Sequence, residues 1–246
     1  MKSTSTLLLA TLIVVLLTNF YVGDPNKGTF QLAMEVEANS KPFRFNTFYE
    51  NPLGETYNVG LLKYYISNIK LGNTDGSEAN LPNTYFLIDA ESRNAVQIKN
   101  IPQGQYNKLS FVLGIDSAKT KQGGYAGDLD PINGMFWNTW GVYINWMMNG
   151  YYKTPSKTVQ PFEYHIGGIE KPYSTTQLIS VDFGGQTLKI GQGIPKLALS
   201  LDVQKFFQST HAVSLHKTPV VSGIGDSAKI VSENFRHMFQ FKHIQP

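Results

Sequence analysis

Residues 134–150 read GMFWNTWGVYINWMMNG. This run holds all three tryptophans of the chain, three methionines, a phenylalanine and a tyrosine. It is too polar to span a membrane and too aromatic for an ordinary surface loop. Its second half, VYINWMM at 142–148, has the composition of a strand with both faces partly covered. The aromatics of GMFWNTW are therefore expected to open a strand and to pack between the layers of a sheet protein.

Strand patterns extend outward from this run. Phe30, Leu32, Met34 and Val36 alternate with Gln31, Ala33, Glu35 and Glu37, and Leu109, Phe111, Leu113 and Ile115 alternate in the same way. Leu197, Leu199, Leu201 and Val203 form a third alternating set. LLKYYISNIKL (61–71), TYFLIDA (84–90) and TLKI (187–190) read as further strands. Turn chemistry separates them: NTDG at 73–76, PQG at 102–104, KTKQGGYAGDLDPING at 119–134 and GG at 184–185. Short strands between turns predict an all-β fold, a two-layer antiparallel β-sandwich. LDVQKFF (201–207) would end a strand and begin a short helix. SAKIVSENFRHMF (227–239) predicts a short C-terminal helix capped by Ser227 or Asp226. One domain is expected over 27–246.

Composition sets the class. The chain has 246 residues, 41% hydrophobic and 16% charged, enough to bury a core. The net charge is +3, with both signs interspersed and no basic run, so nucleic acid is not expected as a partner. Lys2 followed by LLLATLIVVLL (7–17) has the form of an export signal within residues 1–23, or alternatively of an uncleaved N-terminal anchor. No second apolar run of spanning length follows. The expected location is the periplasm or cell envelope. With no cysteine in the chain, a Cys-anchored lipoprotein, disulfides and thiolate metal sites are excluded.

Chemistry-bearing residues are few. His165 stands in FEYHIGG, where alternation puts Phe162 and Tyr164 on one face and Glu163 and His165 on the other; the glycines after it permit a close approach. His211 and His216 are five residues apart and share neither a helix face nor a strand face, so they meet at one metal only within a folded loop. His237 and His243 read as surface residues. Asp128, Asp130 and Asn133 in DLDPIN imitate a calcium loop but lack its glycine and terminal glutamate; a turn held by Asx hydrogen bonds is the simpler reading. No Ser-His-Asp order, phosphate loop or HExxH is present, so no enzymatic activity is expected. The cluster of Trp137, Trp140 and Trp146 fits a core wall, an exposed sugar platform, or the surroundings of a Cu(I) ion held by a thioether of Met135, Met147 or Met148 with an imidazole close by.

The order LLKYYISNIKL, YFLIDA, IPQGQYNKLSFVLGID, LDPINGMFWNTWGVYINWMMNG, FEYHIGG resembles the MbnP-like family of copper-binding proteins, related to MbnP and MopE, in a branch found in Bacteroidetes-type bacteria. The resemblance covers about residues 28–243. It implies an exported β-sandwich that binds copper as Cu(I), without turnover. It further implies a tryptophan oxidised to kynurenine and a partner of the dihaem cytochrome c peroxidase type, MbnH. His165 matches the family's H-[IL]-G histidine, and Trp137 and Trp140 match its GMFW-x-x-W tryptophans. The remaining ligand would then come from a methionine of the aromatic cluster, Met135 first among them, or from His211, His216, His237 or His243. Tyr64 and Tyr65 stand where the copper-binding branch carries a further histidine, and GGIEKPYS stands where that branch has cysteines. The departures leave a second expectation: a non-metal binding module of the cell envelope that recognises a glycan or a protein.

Overall fold

The computed structural model describes residues 24, 26–123 and 125–246; the expected leader, 1–23, lies outside the described residues. The strands are β1 (Lys27–Ala38), β2 (Lys41–Pro42), β3 (Tyr49–Glu50), β4 (Thr56–Asn73), β5 (Glu78–Asp89), β6 (Ala95–Pro102), β7 (Gly104–Leu113), β8 (Phe136–Trp137), β9 (Val142–Lys153), β10 (Val159–Gly167), β11 (Gln177–Asp182), β12 (Leu188–Ile190), β13 (Lys196–Asp202), β14 (Val220–Gly223) and β15 (Phe239–Gln245). Three short helices are α1 (Ser117–Gln122), α2 (Gln204–Phe207) and α3 (Asp226–Glu233). No helix among the described residues is long and apolar enough to cross a membrane.

Two sheets form a sandwich-like all-β fold, as the alternation predicts. The smaller runs β15-β13-β1-β2, with β6 also on β1; the larger runs β11-β7-β4-β9-β10-β14, with β3 and β5 also on β4 and β12 on β7. Phe30, Leu32 and Met34 of β1 and Leu197, Leu199 and Leu201 of β13 share one buried core with inward residues of β4, β7, β9 and β10. Most pairings are antiparallel, but β1–β13 and β10–β14 are parallel. In the first, Leu32 stands beside Leu197 and Met34 beside Leu199, so core-facing rows continue across both strands.

β4 shows how the sequence keeps one face apolar over 18 residues. Its core residues are Tyr57 and Val59, then Leu62, Tyr64 and Ile66, then Ile69 and Leu71. The period-two series slips by one residue twice. Each slip coincides with a register shift, at Gly60 and at Asn68. These are bulges, which return the apolar set to the core face after the slip. Asn68 takes φ +51°, a conformation asparagine tolerates, and donates from Nδ2 to Asp116 at 2.9 Å.

The C-terminal helix forms as α3 and continues as a 3-10 turn, Asn234–His237. The cap differs from the expectation: Gly225 is the N-cap, with no side-chain hydrogen bond, and Asp226 lies in the first turn. α2 follows β13 after Val203, as LDVQKFF predicts.

Glu55 pins the connection between α2 and β14. Its carboxylate is buried and accepts from Ser214 Oγ (2.6 Å), Leu215 N (2.9 Å), His216 N (3.2 Å) and Asn51 Nδ2 (2.9 Å). Burial opposes its ionisation, but these hydrogen bonds outweigh burial and hold the carboxyl below its ordinary 4.5. Glu55→Ala should cost about 2–3 kcal/mol in urea unfolding, because four donors lose a charged acceptor. The contribution is present above pH 4.5 and is lost as pH falls through the lowered value. In Glu55→Gln, the acid limb of a stability–pH profile should therefore flatten.

Candidate functional site

The GMFW segment does not lie wholly between the layers. Of the three tryptophans only Trp146 does: it is 0% exposed and stacks on Tyr64 (5.1 Å) and Phe235 (4.8 Å). Met135, Tyr143 and Met147 form a second buried cluster with Tyr65, Leu87, Ile115 and Leu129, and Phe136 and Trp137 pack against it. This cluster lies on the outer face of the larger sheet. The reason is the 119–134 segment, which folds back over that face. Tyr65 and Tyr143 donate to the carbonyls of Asp128 and Leu129 at 3.0 Å, and Asp128 pairs with Arg93 at 2.6 Å. Asp130 accepts from Ile132 N at 3.0 Å, the Asx turn that DLDPIN predicts.

β10 places His165 on this outer face, since its neighbours Tyr164 and Ile166 belong to the inner core. His165 stands directly opposite Met147 of β9. Facing Cβ atoms in an antiparallel pair lie about 5 Å apart. His165 is half-buried, and its Nε2 is 2.9 Å from Asn149 Oδ1. With Nε2 donating to that oxygen, the neutral ring carries its lone pair on Nδ1, which has no hydrogen-bond partner among the described residues. Burial pulls the imidazole below its ordinary 6.5, against the opposing pull of the Glu163 carboxylate.

The two glycines after His165 have separate uses. A Cβ on Gly167 would meet Trp137 at 2.4 Å, so the glycine lets that indole lie against β10. Gly168, at φ +135°, passes 2.3 Å (Cβ position) from the Tyr173 carbonyl, a conformation and a space that admit only glycine. Trp140 stands edge-on to Trp137 at 4.9 Å and is 52% exposed. Acrylamide should therefore quench a Trp146→Phe variant, which keeps only Trp137 and Trp140, strongly. It should barely touch a Trp137→Phe/Trp140→Phe variant; efficient quenching of the latter would contradict the burial of Trp146.

The other candidate histidines do not join His165. His211 Nε2 is 2.6 Å from Glu233 Oε2. His216 Nε2 donates to the Lys153 carbonyl at 3.0 Å, six residues along β9 from Met147, roughly 20 Å in strand length. The two are engaged with different partners and do not form one site. His237 is exposed as expected, whereas His243 is half-covered and its Nε2 is buried without a partner. No group of three or more His, Cys, Asp or Glu suited to a metal occurs among the described residues. The donor chemistry fits Cu(I) in one way: a single imidazole, His165, beside a single thioether, Met147, with Met135 in the same cluster. Sequence reasoning named the sulfur of Met147 only as one of three; the cross-strand pairing puts that residue opposite His165.

These features describe a β-sandwich whose larger sheet carries a methionine and aromatic cluster on its outer face, with one histidine at its edge. The chain belongs to the MbnP family: the family profile, described as MbnP, matches residues 27–223. Among solved structures, MbnP from Methylosinus trichosporium has the same fold, at 12% identity and a TM-score of 0.50, over 80% of this chain and 81% of that one. These matches do not place the chain in one branch of the family. No curated protein matches significantly.

Proposed function

We propose that the protein is an exported copper-binding protein of the cell envelope that handles or stores Cu(I) without turnover. The observation that carries this reading is the cross-strand pair of His165 and Met147, in a chain of the MbnP family. A thioether is a soft ligand that favours Cu(I), an imidazole also suits copper, and Cu(I) is content with two donors. Asn149 fixes the ring so that Nδ1 is the free donor, as the second partner of a metal-bound histidine commonly does. The covering loop and Trp137 keep bulk water from the sulfur side of the pair. The test is a titration of the purified protein with Cu(I) against a chelator of moderate affinity. One copper should be held per chain; none held removes the reading.

The family also suggests a dihaem partner of the MbnH type and a tryptophan oxidised to kynurenine. Exposure supports Trp137 and Trp140, and not Trp146, as the indoles such a partner could reach. Intact mass of protein produced beside its native neighbours reports that change.

Copper affinity should depend on pH through His165. A proton competes with the metal for the imidazole. Because burial lowers the His165 value, competition should begin only below the ordinary 6.5. Affinity should be flat at neutral pH and fall as pH drops through the lowered value. A decline that begins well above pH 7 would contradict His165 as the ligand.

A further inference from the structure

We propose that a basic pocket between the start of β11 and the C-terminal helix is a binding site for a phosphoryl group. This goes beyond the copper reading and does not depend on it. The pocket has a volume of about 410 Å³, and its walls come from the segment that leads into β11, from α3 and from the 3-10 turn after it. Three cations line it, Lys171, Lys229 and Arg236, and none of them forms an ion pair within 4.0 Å among the described residues. The carboxylates nearby are taken by other partners. Glu170, next in the chain to Lys171, pairs with Lys121 at 2.6 Å. Glu233, on the pocket wall, pairs with His211 at 2.6 Å. That hydrogen bond, helped by the charges of Lys229 and Arg236, holds the Glu233 carboxyl below its ordinary 4.5. Three positive charges against one negative leave the pocket with an excess of two.

Lysines at a surface need no counterion, since water solvates them; the arginine is what makes this pocket a built site. Arg236 donates from Nε to Gln177 Oε1. Gln177 is buried, and its Nε2 donates in turn to the buried Ser232 Oγ at 3.2 Å. Ser232 Oγ donates to the Lys229 carbonyl at 2.7 Å. This chain of buried groups fixes the guanidinium at one nitrogen and leaves its two terminal nitrogens without a protein partner among the described residues. A guanidinium held in that way presents a fork that matches two oxygens of one anion. On the facing wall, the hydroxyls of Ser174 and Thr176 lie 3.0 Å apart. One gives its proton to the other, so one O–H remains to donate to a ligand. A carboxylate has two oxygens and one charge. A phosphoryl group has three free oxygens and about two charges near neutral pH, which matches the donors and the charge excess together. A free phosphate ion and a phosphate monoester on a larger molecule share this chemistry.

The probes are inorganic phosphate and glycerol 3-phosphate, each titrated into the full chain at about 0.15 M salt, where long-range attraction to scattered lysines is screened. Amide NMR shifts in 171–177 and 229–236 should move and saturate. Tighter binding of the free ion or of the monoester names the source, and either supports the site. Arg236→Ala should weaken binding by about tenfold or more, and Arg236→Lys should restore only part of the loss, because an ammonium lacks the fork. Lys99→Ala, at an exposed position on β6, should change nothing. Acetate should bind the unmodified protein at least about tenfold more weakly than phosphate, a comparison that needs no variant to fold. No saturable shift with either probe, acetate bound as well as phosphate, or an affinity unchanged in Arg236→Ala would overturn the proposal.

Discussion

Trp146→Ala should lower the free energy of unfolding by about 3–5 kcal/mol, a large share of the 5–15 kcal/mol typical of a domain. Trp146 is the largest fully buried side chain and the centre of an aromatic stack. It lies across from Tyr64 on β4 and Ile166 on β10, so it ties together three strands of the larger sheet. Its other face meets Phe235 at 4.8 Å and Phe206 at 6.1 Å, which anchors the C-terminal elements over the core. Truncation removes contacts on both sides, and strands cannot collapse into the space as a loop would. Urea unfolding should show a lower midpoint at an unchanged slope. Trp140→Ala, at an exposed site, should change stability by no more than about 0.5 kcal/mol. Tyr64→Phe should be neutral or stabilising, because the Tyr64 hydroxyl is buried without a partner and its loss costs no hydrogen bond. A Trp146→Ala loss below about 1 kcal/mol would contradict the described core.

The second large effect concerns copper. His165→Ala should weaken Cu(I) affinity by about 100-fold or more, beyond what loss of an outer partner costs a metal site. Met147→Leu should do nearly the same while leaving stability almost unchanged, since leucine conserves volume and removes only the sulfur. Asn149→Ala should cost about tenfold by freeing the imidazole to rotate. Met135 gives the contrast. It is buried in the same cluster, but it is not paired across strands with His165. Met135→Leu should leave affinity within about threefold, the context-dependent scatter of such measurements. Equal losses in Met135→Leu and Met147→Leu would mean that both sulfurs hold the ion.

Much of the fold is legible in local sequence. Alternation in 30–37, 109–113 and 197–203 marks strands whose apolar series line the core, although Ile115 departs to the outer cluster and β13 is covered on both faces. The face of His165 follows from the same rule. What local pattern does not encode is long-range pairing. The parallel contact of Leu32 with Leu197 joins residues far apart in the chain, and nothing near either one announces its partner. The bulge at Asn68 hides for another reason: a one-residue slip in apolar phase looks like noise until the register shift shows that it restores the core face. The expectation that the whole GMFWNTW segment packs between the layers fails at a specific place. The 119–134 loop folds over the outer face and gives Phe136 and Trp137 a second apolar cluster to join. Composition identifies these residues as apolar but cannot say which of two faces covers them. The pairing of His165 with Met147 is likewise a matter of register, invisible until β9 and β10 are aligned.

X-ray absorption at the copper edge of the Cu(I)-loaded protein tests the central claim most directly, because it reads the ligand atoms rather than the affinity. A site of His165 and Met147 predicts a mixed first shell with imidazole nitrogen and one sulfur, and the sulfur contribution should vanish in Met147→Leu. A shell of nitrogen and oxygen alone, unchanged by Met147→Leu, would contradict the account and move the copper away from this face of the sheet.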